Sequence, residues 1–182
     1  ERPAEGVLPG QIGHFPFDEF KDGKLTNLAD ESKQAASSQK NKIVPGKNGN
    51  ALQLTGDDGV NLGIGNFKRT EPVSVALWMS TPHHKERTVV FSRSRAWTDA
   101  GSRGYQMLLR DGHLSASLIH FWPGNAINVR TKAKLRKDEW YHVAITYDGS
   151  TKAGGLEIYV NGKLAETEIY KDNLYKNITG GG

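Results

Sequence analysis

The stretch Trp140–Ala165, WYHVAITYDGSTKAGGLEIYVNGKLA, decides how the rest of the chain is read. Val143, Ile145 and Tyr147 alternate with His142, Ala144 and Thr146, and Leu156, Ile158 and Val160 alternate with Glu157 and Tyr159. That period of two is what a half-buried strand requires. Asp148-Gly149 lies in the loop between the two runs, and Asn161-Gly162 separates the second run from a third. Asn-Gly tolerates positive φ at both central positions of a type I′ turn, whose twist matches that of the flanking strands. The stretch therefore predicts a three-stranded antiparallel meander. A two-residue turn at Asn161-Gly162 sets Val160 opposite Lys163 and predicts Glu157 opposite Glu166, a like-charge pair that is unfavourable by about 0.2–1 kcal/mol unless the face is solvated.

Outward from this stretch the same signals recur. Val73–Ser80 and Thr88–Arg93 read as strands, Tyr105–Arg110 and His113–His120 as a hairpin over Asp111-Gly112, and Ala126–Thr131 as a further strand. Ala51–Leu54 and Val60–Leu62 read as two short strands around Gly56-Asp57-Asp58-Gly59. His14–Phe20 alternates, and Pro16 assigns it to an edge. The polar run of residues 30–50, broken only at Ile43-Val44, reads as a surface loop. No window carries a helical period, so the predicted class is all-β, a sandwich of two antiparallel sheets with about a dozen strands.

Composition agrees. The chain has 182 residues, 36% hydrophobic, with 21 glycines, which suits one sandwich rich in turns. Its net charge of +4 comes from 24 basic and 20 acidic residues largely interspersed, so the basic excess does not outline a nucleic-acid footprint. With no cysteine, disulfides and thiolate chemistry are excluded. No apolar run reaches the ~18 residues of a membrane helix. Residues 1–12 read as a linker or an added edge segment, 13–170 as the sandwich and 171–182 as a C-terminal tail of a longer protein.

Trp140-Tyr141-His142-Val143, Thr146-Tyr147-Asp148-Gly149 and Ile158-Tyr159-Val160-Asn161-Gly162-Lys163 resemble the signature of laminin-G-like, concanavalin A-like jelly-roll domains. Gly49–Leu54, Val60–Gly63 and Val73–Trp78 are similar to that family's earlier strands, in the same order. The resemblance implies a lectin-like or glucanase-like sandwich, a fold shared by sugar binders, structural modules and glycosidases. The segment Arg93–Gly104 further resembles versions of the domain found in large extracytoplasmic proteins of planctomycete-type bacteria. That implies an extracytoplasmic location beside other domains.

Chemistry concentrates in two stretches. Arg93-Ser94-Arg95-Ala96-Trp97-Thr98-Asp99-Ala100-Gly101-Ser102-Arg103-Gly104 holds three arginines, a tryptophan and an aspartate, and His120-Phe121-Trp122-Pro123-Gly124-Asn125 ends the next hairpin. An aromatic face covers the apolar side of a pyranose while planar polar groups fix its hydroxyls or acidic substituents. Arg93, Arg95, Trp97, Asp99, Arg103, His120 and Trp122 are therefore the expected ligand contacts for a polysaccharide. A tryptophan buried under its own loop, with arginines stacked on it, is the competing structural reading. Asp57 and Asp58 offer hard oxygens to a calcium ion, against a plain solvated turn. His83-His84 and the basic run Lys132–Lys137 read as exposed loop.

Glycosidases of the resembling fold carry E-x-D-x-x-E on one strand. Here Glu166-Thr167-Glu168-Ile169-Tyr170-Lys171 supplies two carboxylates and a lysine in place of the third, in the wrong hairpin. Gly63-Ile64-Gly65 lacks a dinucleotide fingerprint, and Asn177-Ile178-Thr179 is a glycosylation sequon. The expected function is a non-catalytic carbohydrate-binding module. The alternatives are a structural or protein-interaction module and, behind both, a glycoside hydrolase.

Overall fold

The meander forms where its alternation places it: β11 (Tyr141–Tyr147) pairs antiparallel with β12 (Leu156–Val160), which turns into β13 (Lys163–Leu164). Asn161 and Gly162 take φ of 51° and 77°, and Val160 lies opposite Lys163. The Asn161 N–H donates to the His142 carbonyl at 2.7 Å, and the His142 N–H donates to Asn161 Oδ1 at 2.9 Å, so the turn is bolted to the next strand as well as to its own.

These elements come from a computed structural model that describes residues 7–20, 22–37, 41–54, 56, 59–94 and 102–180. The chain divides into two compact units, Glu1–Gly65 and Asn66–Gly182. The first holds β1 (Lys24–Leu25), β2 (Ala35–Ser37), β3 (Lys42–Pro45), β4 (Asn50–Gln53) and β5 (Val60–Asn61). They form a three-stranded sheet, β1-β2-β5, and a β3-β4 hairpin. The second unit adds β6 (Val73–Met79), β7 (Thr88–Ser94), β8 (Ser102–Arg110), β9 (His113–Phe121), β10 (Asn125–Thr131) and β14 (Thr167–Asn173) to the meander. Its two sheets run β14-β10-β9-β8-β7 and β13-β12-β11-β6. Helix among the described residues is one short 3-10 turn, Ala153–Gly155.

Alternation sends one face of each sheet into a common core. Met107, Leu109, Leu114, Leu118, Ile127 and Val129 from the larger sheet meet Val143, Ile145, Tyr147, Leu156 and Ile158 from the smaller, all nearly fully buried. Each such aliphatic side chain stabilises the fold by about 1.5–3 kcal/mol relative to exposure. Leu174 and Ile178, in the segment read as a tail, are buried in the same cluster. The outward positions Ser115, Ser117 and Ile119 of β9 are buried too, and Asn128 Nδ2 donates to Ser115 Oγ, Ser117 Oγ and the Ala116 carbonyl across that face.

Four sequence expectations are corrected. Residues 30–50 are not all loop, since they contain β2 and β3; the signal was Asn48-Gly49, which closes the β3-β4 hairpin with Gly49 at φ 72° and the Gly46 N–H on the Gly49 carbonyl at 2.9 Å. β4 and β5 are not partners across an acidic turn, for β4 pairs β3 and β5 pairs β2. His14–Phe20 forms no strand: Phe17 has φ 59°, and the backbone there is held by Asn27 instead of a ladder. Asn27 Oδ1 accepts from the N–H of His14 and Ala29, and its Nδ2 donates to the Ile12 carbonyl.

Glu157 does not face Glu166. β13 ends after two residues; the Ala165 N–H still donates to the Ile158 carbonyl, but the Glu166 carbonyl accepts from the N–H of Lys132, the residue just after β10. The chain thus passes from one sheet to the other at Ala165–Glu166. Glu166 pairs with Lys132 at 3.6 Å, and Glu157 sits opposite Thr146.

Candidate functional site

Three strand ends meet on the larger sheet. The register places Arg93 opposite Tyr105, Ser94 opposite Gly104, Gly104 opposite Ile119 and Ser102 opposite Phe121. The two chemistry-bearing stretches are therefore neighbours, as sequential strands in a meander must be. Gly104 is a requirement of this junction: its φ is 138°, and a Cβ there would lie 1.6 Å from the Arg93 carbonyl oxygen.

The residues expected to contact ligand divide. Arg103 is exposed and His120 and Trp122 are half-buried, at one end of one sheet. Arg93 is half-buried on the core-facing side with Tyr105. Burial pushes the Tyr105 phenol up from its ordinary value, and the nearby Arg93 charge pulls in the opposite direction. Tyr105 also packs against Phe67 and Phe91 at 5.8 and 6.4 Å. Arg95, Trp97 and Asp99, and the proposed calcium ligands Asp57 and Asp58, lie outside the described residues. Among the described residues no group of three His, Asp or Glu side chains is placed to hold a metal.

The end is completed by residues the sequence did not single out. His120 Nδ1 lies 2.6 Å from the Asn177 carbonyl, which can only accept, so that nitrogen carries the proton. Asn125, 4% exposed, accepts at Oδ1 from the N–H of Tyr175 and Lys176, and Asn173 Nδ2 donates to the Gly124 carbonyl at 2.9 Å. Those bonds lock Tyr175 and Lys176 beside the β9–β10 hairpin tip. Phe121 is 70% exposed and Tyr175 58% exposed, with Lys176 Nζ 6.0 Å from the Tyr175 ring centre. A Cβ on Gly180 would lie 3.9 Å from Arg103 Nη1, which fixes where the guanidinium hangs. An exposed ring such as Tyr175 can cover an apolar ring face, and exposed cations such as Lys176 and Arg103 can pair with carboxylate or sulfate. Phe121 was legible as the outward position after Ile119; Tyr175 and Lys176 were hidden in the supposed tail.

The carboxylates weighed for hydrolysis are elsewhere. Glu166 is ion-paired to Lys132, and Glu168 accepts from the Tyr170 hydroxyl on β14, at the open edge of the sheet.

The profile of the Concanavalin A-like lectin/glucanases superfamily matches residues 54–181. No curated protein sequence matches the chain. Among solved structures, an S-layer domain-containing protein (residues 221–444) from Clostridium thermocellum superposes with TM-score 0.56 at 21% identity, covering 89% of this chain and 73% of that one. The binding domain of Paraclostridial Mosquitocidal Protein 1 superposes with TM-score 0.62 at 16% identity, covering 89% of this chain and 41% of that one. Such identities speak to the fold alone. The chain belongs to the Concanavalin A-like lectin/glucanases superfamily.

Proposed function

We propose, with membership of that superfamily as the premise, that this chain is a non-catalytic carbohydrate-binding module of a larger extracytoplasmic protein. Its ligand is an acidic polysaccharide held at the β9–β10 end of the larger sheet. The observation that carries the reading is the exposed Tyr175 ring with the Lys176 ammonium 6.0 Å from its centre, both tied through their backbone N–H groups to Asn125, at the strand ends that also carry exposed Phe121 and Arg103. Trp122 lies at the same end, and Arg95, Trp97 and Asp99, expected from the sequence, are outside the described residues. A non-catalytic role accords with Glu166 and Glu168 standing on an open edge, one of them neutralised by Lys132. An S-layer domain-containing protein and the binding domain of a mosquitocidal protein share the fold, which supports a module working outside the cytoplasm among other domains.

Affinity electrophoresis through gels containing alginate, pectate, heparin or neutral glucan tests this. The wild type is retarded by at least one acidic polymer, and Phe121→Ala or Trp122→Ala weakens retention about tenfold, the loss of roughly 1.4 kcal/mol of ring contact. Arg103→Ala makes the residual retention less salt-sensitive. Migration unaffected by every polymer contradicts the reading and favours a spacer or protein-interaction module.

A further inference from the structure

The smaller sheet also has an outward face. With Val143, Ile145 and Tyr147 in the core, His142, Ala144 and Thr146 point away from it, flanked by Trp78, Ala76 and Ser74 on β6 and by Tyr159 and Glu157 on β12. Ala76 and Ala144 lie opposite each other in the middle, so the floor there is low. At one end Trp78, 40% exposed, meets His142 edge-on at 5.4 Å. Along the far side stand Tyr159 and, opposite it on β13, Leu164 at 58% exposure. At the other end Glu157 Oε2 accepts from the Tyr159 hydroxyl at 2.7 Å and Thr146 Oγ1 at 3.4 Å. Its Oε1 has no partner among the described residues.

Beyond Glu157 the face opens into a hollow of about 210 Å³ lined by Thr146, Asp148, Gly154, Gly155 and Glu157. Both glycines keep it open and in place: Gly154 has free space around it, and a Cβ on Gly155 would strike Asp148 Oδ1 at 2.0 Å. The hollow is smaller than the roughly 300–1,000 Å³ of an enclosing small-molecule pocket, so it suits one ring of a ligand that continues outside it. Four residues of strand, about 14 Å, separate Thr146 from His142, room for a short oligomer.

Charge selects the class. On a chain with net charge +4, this face carries the Glu157 carboxylate, with Asp148 in the hollow, and no lysine or arginine among its outward positions. We propose that this face is a second glycan surface, which takes a short cationic amino-sugar oligomer: rings lie over Ala76 and Ala144 between Trp78 and Tyr159, and an ammonium group meets Glu157. It is chemically opposite to the cationic sheet end, so the two surfaces take different polymers and stand or fall separately.

Isothermal titration calorimetry with the glucosamine trisaccharide and its N-acetylated counterpart tests this. The wild type binds the glucosamine trimer; Glu157→Gln weakens it at least about tenfold, the loss of a charged hydrogen bond, and leaves the acetylated trimer unchanged. Trp78→Ala and the floor-filling Ala144→Arg weaken both trimers, while Phe121→Ala weakens neither. Matching amide spectra of Glu157→Gln and wild type confirm that the fold is intact. No heat of binding in the wild type, or a Glu157→Gln affinity equal to wild type, overturns the proposal. So does concentration-dependent self-association that Trp78→Ala abolishes, which would give the face to a second copy of the chain.

Discussion

Asn161 shows how much one side chain carries. It holds φ at 51° and its amide oxygen accepts from the His142 N–H, so Asn161→Ala loses a bond and strains the backbone, costing about 1–2 kcal/mol in urea denaturation. Gly162→Ala meets nothing within 4 Å, so its cost is the φ of 77° alone, about 1 kcal/mol. Tyr147 is a second pin: its hydroxyl donates to the Arg69 carbonyl and accepts from the Thr151 N–H at 2.8 Å. Tyr147→Phe leaves both groups short of a partner and is expected to cost about 1–3 kcal/mol. Asp148, bonded by the Ser150 side chain and backbone, has its carboxyl held below the ordinary 3.8. The unfolded chain therefore binds the proton first as pH falls; the contribution is full above pH 3.8 and is lost as pH drops through the lower folded value. Acid unfolding of Asp148→Asn should show a shallower dependence on pH below that point.

At the scale of elements, pairing rules made most of the second unit legible. β6 to β12 follow alternation, and sequential neighbours pair from β7 to β10 and from β11 to β12, while β6 pairs out of order with β11. What stayed hidden is where a competing interaction replaced the pattern. Ala35–Ser37 has too little apolar surface to show a period, and around His14–Phe20 Asn27 supplies the bonds a ladder would have made. The crossing at Ala165–Glu166 was equally illegible, because hairpin register extrapolates along one sheet and says nothing of when a strand leaves it. Of the ligand set, Arg103, His120 and Trp122 lie at one end because β8 and β9 are sequential neighbours in the sheet; Tyr175 and Lys176 were not legible, because their placement depends on the long-range bonds to Asn125. The β7–β8 junction yields a prediction. Gly104→Ala forces a Cβ onto the Arg93 carbonyl at a φ of 138° and is expected to cost ~2–4 kcal/mol, against less than about 1 kcal/mol for Gly124→Ala, which has open space.

For the whole molecule, stability rests on the core between the two sheets of the second unit, and Ile145→Ala or Leu118→Ala should each cost about 2–5 kcal/mol in chemical denaturation. The same packing keeps the strand ends rigid, so a ligand meets preformed surfaces at little ordering cost. The most direct test of the central claim is a titration of the amide spectrum of the isotope-labelled chain with oligosaccharides of whichever acidic polymer retards it. Binding at the sheet end predicts perturbed amides concentrated at residues 102–104, 120–125 and 174–180, with the core of β11 and β12 unmoved. Shifts confined to other parts of the chain, or none with any acidic glycan, would contradict it.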